Sequence, residues 1–202
     1  MVQSTRDQAP GPMPLVAALE VLRALRSDEI VVTTMGAARE WPRLSDHPLD
    51  LHYIPSAMGE APALGLGLAL ARPDRHVVVL NGDGCMLMNL GALVTIAAAS
   101  PANLTLVVMH NGRYEVTGGQ QLAAEKSTTD FAVLATAAGI GSVAAFSDLD
   151  AWRQQAAATL AQPGPRFIVL DVAPVEDYEL TSPGPMPARI QRFREALGAA
   201  KP

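Results

Sequence analysis

The chain has 202 residues, 49% of them hydrophobic and 17% charged, with a formal net charge of −5. That length suits one α/β domain with a substantial core and excludes two domains of ordinary size. No stretch reaches the roughly 18 uninterrupted apolar residues of a bilayer span; an acidic balance without a Lys/Arg run argues against nucleic acid as partner, and the single Cys85 excludes an internal disulfide or a cysteine-ligated iron–sulfur cluster.

Residues 1–13 read as a flexible tail with Arg6, Asp7, prolines and glycine and no apolar stretch resembling a signal sequence, so the chain is expected in the cytoplasm. From residue 14 to residue 175, strand-length apolar runs alternate with segments of helical period, as a parallel sheet covered by helices requires. In chain order the pattern predicts a helix over Leu15–Arg26, strands at Ile30–Thr34 and Leu51–Ile54, and a helix over Gly59–Ala71. Gly65 and Gly67 in that helix allow close approach of a neighbouring backbone, and its Ala/Gly-rich composition predicts burial. A strand at His76–Asn81, a helix at Leu87–Ala99, a strand at Leu104–His110, helices at Phe131–Ala138 and Leu149–Ala161, and a strand at Arg166–Val172 follow. Glu40 and Trp41 carry no reading beyond surface and core. Residues 176–202 form a Pro-rich segment ending in an amphipathic piece, Ala188–Leu197, suited to docking on a partner. The expected architecture is a doubly wound, mostly parallel sheet with helices on both faces, whose ligands sit outside the carboxyl ends of its strands.

Two such ends carry chemistry. The first strand opens into Gly82-Asp83-Gly84 before a helix beginning near Leu87, a turn whose backbone N–H groups suit a phosphate. Asp83 would repel a bare phosphate, and a hard divalent cation between them resolves the conflict, since Mg²⁺ is commonly held by one or two carboxylates and phosphate oxygens. The next strand ends in Asn111-Gly112-Arg113, on the same rim. Asn111 offers a neutral oxygen, and the Arg113 carbonyl offers a third. The four histidines, at positions 47, 52, 76 and 110, show no metal-ligand spacing. Gly-Asp-Gly alone is a common turn, but the 28 positions from Asp83 to Asn111 hold one helix and one strand in the required order.

This combination resembles the diphosphate-binding signature of thiamine diphosphate enzymes. The runs Gly82-Asp-Gly-Cys-Met-Leu-Met-Asn-Leu-Gly91 and Asn111-Gly-Arg-Tyr-Glu-Val-Thr-Gly-Gly-Gln120 are most similar to the small (beta) subunits of sulfopyruvate decarboxylase and the matching part of phosphonopyruvate decarboxylase, over about residues 30–172. His110 stands where the family usually has Asn, and Cys85 where it often has Ser; Cys85 keeps its backbone N–H for the diphosphate but loses a hydroxyl contact. The resemblance implies thiamine diphosphate and Mg²⁺ as cofactors, with Gly82, Asp83, Gly84, Cys85, Asn111, Arg113 and Tyr114 around the diphosphate and Asp83, Asn111 and Arg113 on the metal. It also implies that Met58 wedges between the cofactor rings while the Ser56 carbonyl receives the aminopyrimidine. His47, His52, Tyr114, Glu115 and Gln120 are placed to approach a substrate, although most suit ordinary rim packing.

The family's activating Glu belongs to a pyrimidine-binding domain for which this sequence has no room. The resemblance therefore implies a split 2-keto acid decarboxylase, a carbon–carbon lyase of at least two copies of each chain, whose partner supplies that Glu. A carboligase of the acetolactate synthase type is the second enzyme reading. A ferredoxin-coupled oxidoreductase subunit is disfavoured by the single Cys, and a phosphate-binding regulatory module is the non-enzymatic alternative.

Overall fold

Along Val77-Val78-Val79-Leu80 successive side chains enter opposite apolar layers: Val77 and Val79 join one buried cluster, Val78 and Leu80 the other. A strand buried on both faces requires helices on both. The computed structural model describes residues 11–52, 58–123, 129–175 and 184–198. Its elements are α1 (Leu15–Leu25), β1 (Ile30–Thr33), α2 (Met35–Leu44), β2 (Asp50–His52), α3 (Ala61–Ala71), β3 (Val77–Gly82), α4 (Asp83–Met88), α5 (Gly91–Ala99), β4 (Leu104–His110), β5 (Arg113–Tyr114), β6 (Gln120–Gln121), α6 (Phe131–Ala137), β7 (Ser142–Phe146), α7 (Leu149–Leu160), β8 (Arg166–Asp171) and α8 (Met186–Gly198).

Six strands form one sheet in the order β2-β1-β3-β4-β8-β7, every pairing parallel. One face packs on residues of α3, α5, α6 and α8, with Leu66, Ile96, Phe131 and Phe193 in that core. The other packs on α1, α2 and α7, around Leu19, Trp41 and Trp152. The expected doubly wound sheet is thus observed. The chain leaves β1 toward β2 on one side and returns through β3 to the other, so the order reverses between β1 and β3. In such sheets this reversal opens a crevice at the carboxyl ends.

The details differ from the sequence expectation in ways that matter for the site. Helix α2 was not expected, because Gly36 and Pro42 interrupt its helical pattern. Strand β7 was not expected either; it lies at the sheet edge with most of its residues partly exposed, so its period-2 signal is weak. The single helix expected over Leu87–Ala99 is two helices, and α4 starts at Asp83 itself. Gly65 is required by packing, since a Cβ there would lie 2.2 Å from Val79 Cγ2, whereas Gly67 faces open space. Helix α3 is apolar all round yet only one face is buried, with Leu70 left 58% exposed.

Both termini of the described chain belong to the fold. Met13, assigned by sequence to the tail, is buried, donates its N–H to Asp171 O at 2.9 Å and accepts from Ala173 N at 2.8 Å. The amphipathic C-terminal piece, expected to dock on a partner, docks on its own chain. Phe193 of α8 enters the core, and Arg189 donates to His52 O at 2.7 Å. No helix among the described residues is long and apolar enough to cross a membrane.

Candidate functional site

Strand β3 ends in the reversal crevice, and the residue delivered there is Asp83, 2% exposed. Its Oδ1 accepts the Gly84 N–H at 2.7 Å; its Oδ2 accepts those of Asn111 at 2.9 Å and Gly112 at 2.8 Å. The carboxylate thus ties the start of α4 to the turn after β4. Burial pushes its pKa above the ordinary carboxylate value and outweighs the opposing backbone hydrogen bonds. Among the described residues no Lys or Arg forms a salt bridge with it.

Asn111 follows β4 directly, and its Oδ1 accepts the Arg113 N–H at 2.9 Å, an Asx-type turn that holds the amide oxygen on the rim. Beyond it β5 pairs antiparallel with β6. Gly112, at φ 72°, makes the turn between β4 and β5, a conformation glycine takes without strain. Tyr114 folds back over Gly84, where an added Cβ would lie 2.7 Å from the ring. The second glycine of Gly-Asp-Gly is therefore fixed by contact.

These residues line one cleft, shared by Met58, Gly82, Asp83, Gly84, Cys85, Asn111, Arg113 and Tyr114 together with Met35, Gly36 and Glu115. Ser56 lies outside the described residues. His47, His52 and Gln120 do not line the cleft: His47 Nδ1 is 3.2 Å from an Arg26 nitrogen, His52 Nδ1 is 3.0 Å from Thr33 Oγ1, and Gln120 is exposed. Cys85 is buried, and burial raises its thiol pKa, which suits packing rather than thiolate chemistry. Glu40 and Trp41 are both buried.

Sequence reasoning missed the opening of α2. Met35 adopts φ 50°, unusual for a side chain other than glycine, at the end of β1 where the crevice begins. Gly36 follows it on the cleft wall. Behind them Arg39, 1% exposed, pairs with Glu115 at 2.7 Å. No local periodicity marks this pair, because its members are 76 positions apart.

The residues fit a hard divalent cation bridged to phosphate. Asp83 is a buried carboxylate that no Lys or Arg of the described residues pairs with, His110 being the nearby group that favours its charge, and Asn111 Oδ1 keeps a second lone pair beyond the one used by Arg113. No group of three or more His, Cys, Asp or Glu suited to a metal occurs among the described residues. One carboxylate supplemented by neutral oxygens is the donor set that suits Mg²⁺ completed by phosphate oxygens and water. No atom lies within 4 Å of a Cβ built on Gly82, which leaves room for such a group.

Residues 31–170 match the family model described as thiamine pyrophosphate enzyme, C-terminal TPP binding domain. The chain is 42% identical to a phosphonopyruvate decarboxylase of Streptomyces viridochromogenes over 89% of its own length and 45% of that protein's. It is 39% identical to the sulfopyruvate decarboxylase subunit beta of Methanothermobacter thermautotrophicus, over 79% of this chain and 82% of that subunit. The chain thus spans less than half of the phosphonopyruvate decarboxylase it matches. Its fold is shared with the crystal structure of benzoylformate decarboxylase from Polynucleobacter necessarius, at TM-score 0.65 and 20% identity, over 89% of this chain and 36% of that one.

Proposed function

The chain belongs to the thiamine pyrophosphate enzyme family as a C-terminal TPP binding domain, and from that premise we propose that it is the diphosphate- and Mg²⁺-binding subunit of a split 2-keto acid decarboxylase of the sulfopyruvate and phosphonopyruvate type. The observation that carries this reading is Asp83: a buried carboxylate at the strand-order reversal, bonded to the turn that presents Asn111 and paired with no Lys or Arg among the described residues. The name "subunit beta" borne by relatives supports a partner chain.

When bound, thiamine diphosphate supplies the nucleophilic carbon and the electron sink that allow a 2-keto acid to lose CO₂. This chain's residues bind and orient. Asp83, the Asn111 side-chain oxygen and the Arg113 carbonyl would hold Mg²⁺, while Gly82, Gly84 and the Cys85 N–H would let the diphosphate approach the backbone. Met58, on the cleft wall, would wedge against the bound cofactor and the Ser56 carbonyl would receive its aminopyrimidine, while Tyr114 folds over Gly84. The group that holds and moves the pyrimidine proton is assigned to a Glu of a pyrimidine-domain partner, in an assembly with at least two copies of each chain.

The test is reconstitution. The chain combined with its pyrimidine-domain partner, Mg²⁺ and thiamine diphosphate is expected to release CO₂ and an aldehyde from sulfopyruvate or phosphonopyruvate. Turnover by this chain alone would overturn the split site, and a condensed hydroxy-keto acid product in place of the aldehyde would identify a carboligase.

A further inference from the structure

The Arg39–Glu115 ion pair reaches the edge of the cleft at Glu115 and belongs to no part of the metal or diphosphate assignment. Both side chains are withdrawn from solvent, at 1% and 9% exposure, with Arg39 Nη2 2.7 Å from Glu115 Oε2. Glu115 uses its other oxygen as well: Oε1 accepts the Val175 N–H at 2.5 Å. Three segments distant in sequence therefore meet on one carboxylate: the first turns of α2 after β1, the loop after Asn111, and the chain leaving β8. Gly36, on the cleft wall, rests on the pair, since a Cβ there would lie 3.2 Å from Glu115 Oε2 and 3.7 Å from Arg39 Nη2.

A buried ion pair is a poor device for stability, because the cost of removing two charges from water cancels most of their attraction. What it supplies is a fixed geometry, since displacing Arg39 leaves the buried Glu115 carboxylate without its counter-ion. Glu115 lies four positions after Asn111 and directly after Tyr114, in the same loop. Its position is transmitted to Arg113 and Tyr114 through a short backbone tether, and Arg39 occupies the helix whose N-terminal residues Met35 and Gly36 form the facing wall. Resting on the function proposed above, we propose that Arg39 and Glu115 are positioning residues that lock the metal-bearing turn against the opening of α2, and so set the affinity for Mg²⁺-thiamine diphosphate without touching it.

The full chain is compared with its Arg39→Met, Glu115→Gln and double variants by two readouts. Titration calorimetry with Mg²⁺ and thiamine diphosphate is expected to show roughly 10–100-fold weaker binding in each single variant, the range seen when groups behind a metal site are removed. The double variant should bind no more weakly than the worse single one, as for two residues acting as one unit. Arg39→Lys should recover part of the loss, which general destabilisation would not predict. Hydrogen–deuterium exchange should be several-fold faster at Gly112, Gly119 and Leu122 in the variants, with the amides of β4 unchanged. If Arg39→Met fails to fold, the isosteric Glu115→Gln carries the comparison. Wild-type binding that requires Asp83 but is unaltered in the pair variants, with exchange also unaltered, would overturn the positioning role and leave the cofactor assignment standing. If the wild-type chain shows no Mg²⁺-dependent binding, the cofactor assignment falls, and the exchange of the loop amides decides the positioning role alone.

Discussion

Buried charge is handled differently at the amino ends of the strands and at Asp83. At the amino ends of the strands the charges are closed on one another: Arg26 pairs with Asp50 at 2.5 Å, and Arg75 lies 3.6 Å from Asp28. Arg166 spans the space between strands, donating to Thr105 Oγ1 and meeting His76 Nε2 at 2.9 Å. At the carboxyl ends Asp83 is just as buried, but it is held by backbone N–H groups and pairs with no cation of the described chain. The closed pairs at the amino ends lie away from the cleft and do structural work there. A buried carboxylate whose counter-charge must come from outside keeps capacity for a ligand, at a cost in stability.

Substitutions should separate the two ends. The largest effect is expected from Asp83→Asn, which should weaken Mg²⁺-dependent binding of thiamine diphosphate by about 100-fold or more, since it removes the metal's charged ligand. Asparagine is the sharper test than alanine, because alanine would strand three N–H donors at Gly84, Asn111 and Gly112. Thermal melting of the ligand-free Asp83→Asn chain should fall only slightly, because removal of a buried charge offsets the one backbone donor, at Gly84, that the amide nitrogen would leave unpaired. A large fall in melting temperature would assign Asp83 to the structural end of the comparison. Asp50→Ala should do the reverse. It leaves Arg26 buried without its carboxylate and should cost about 3 kcal/mol or more in denaturant unfolding, with cofactor affinity per folded molecule preserved.

A smaller effect is expected at Gly65, where alanine would press on Val79 and should destabilise by about 1–3 kcal/mol without altering cofactor affinity. The smallest is a pH dependence. Burial and the neighbouring Arg166 lower the His76 pKa from 6.5 to about 4. Between those values the unfolded chain binds more protons than the folded one, so the stability owed to neutral His76 is complete above pH 6.5 and is lost as pH falls toward 4. His76→Gln should flatten that part of the stability curve; an unaltered profile would remove His76 from the account.

The carboxyl end was the more legible in sequence because Asp83 and Asn111 belong to turns whose order along the chain is also their order in space. A parallel strand, a helix and the next strand bring them to one rim without any further information. The sheet was legible where strands are buried on both faces, as at Val77–Leu80 and Leu104–Val108. It was not legible at β7, where a half-exposed Ser-Val-Ala-Ala-Phe has no strong alternation. Helix α2 was hidden by Gly36 and Pro42, and with it the wall that faces the metal turn. Arg39 and Glu115 have no local signal at all, because their meeting depends on the whole sheet having formed. The docking of α8 was misread for a related reason: amphipathicity records that a face is covered and leaves open by what, and here Phe193 is covered by the chain's own core.

The central claim is that the cleft holds thiamine diphosphate through Mg²⁺ on Asp83 and Asn111. Calorimetric titration of the wild-type chain with thiamine diphosphate, in Mg²⁺ and again in excess EDTA, with ATP and NAD as competitors, tests it most directly. The account predicts saturable binding of thiamine diphosphate that disappears with the metal and is not displaced by either nucleotide. Equal affinity with and without Mg²⁺, or displacement by ATP or NAD at matching concentrations, would contradict it.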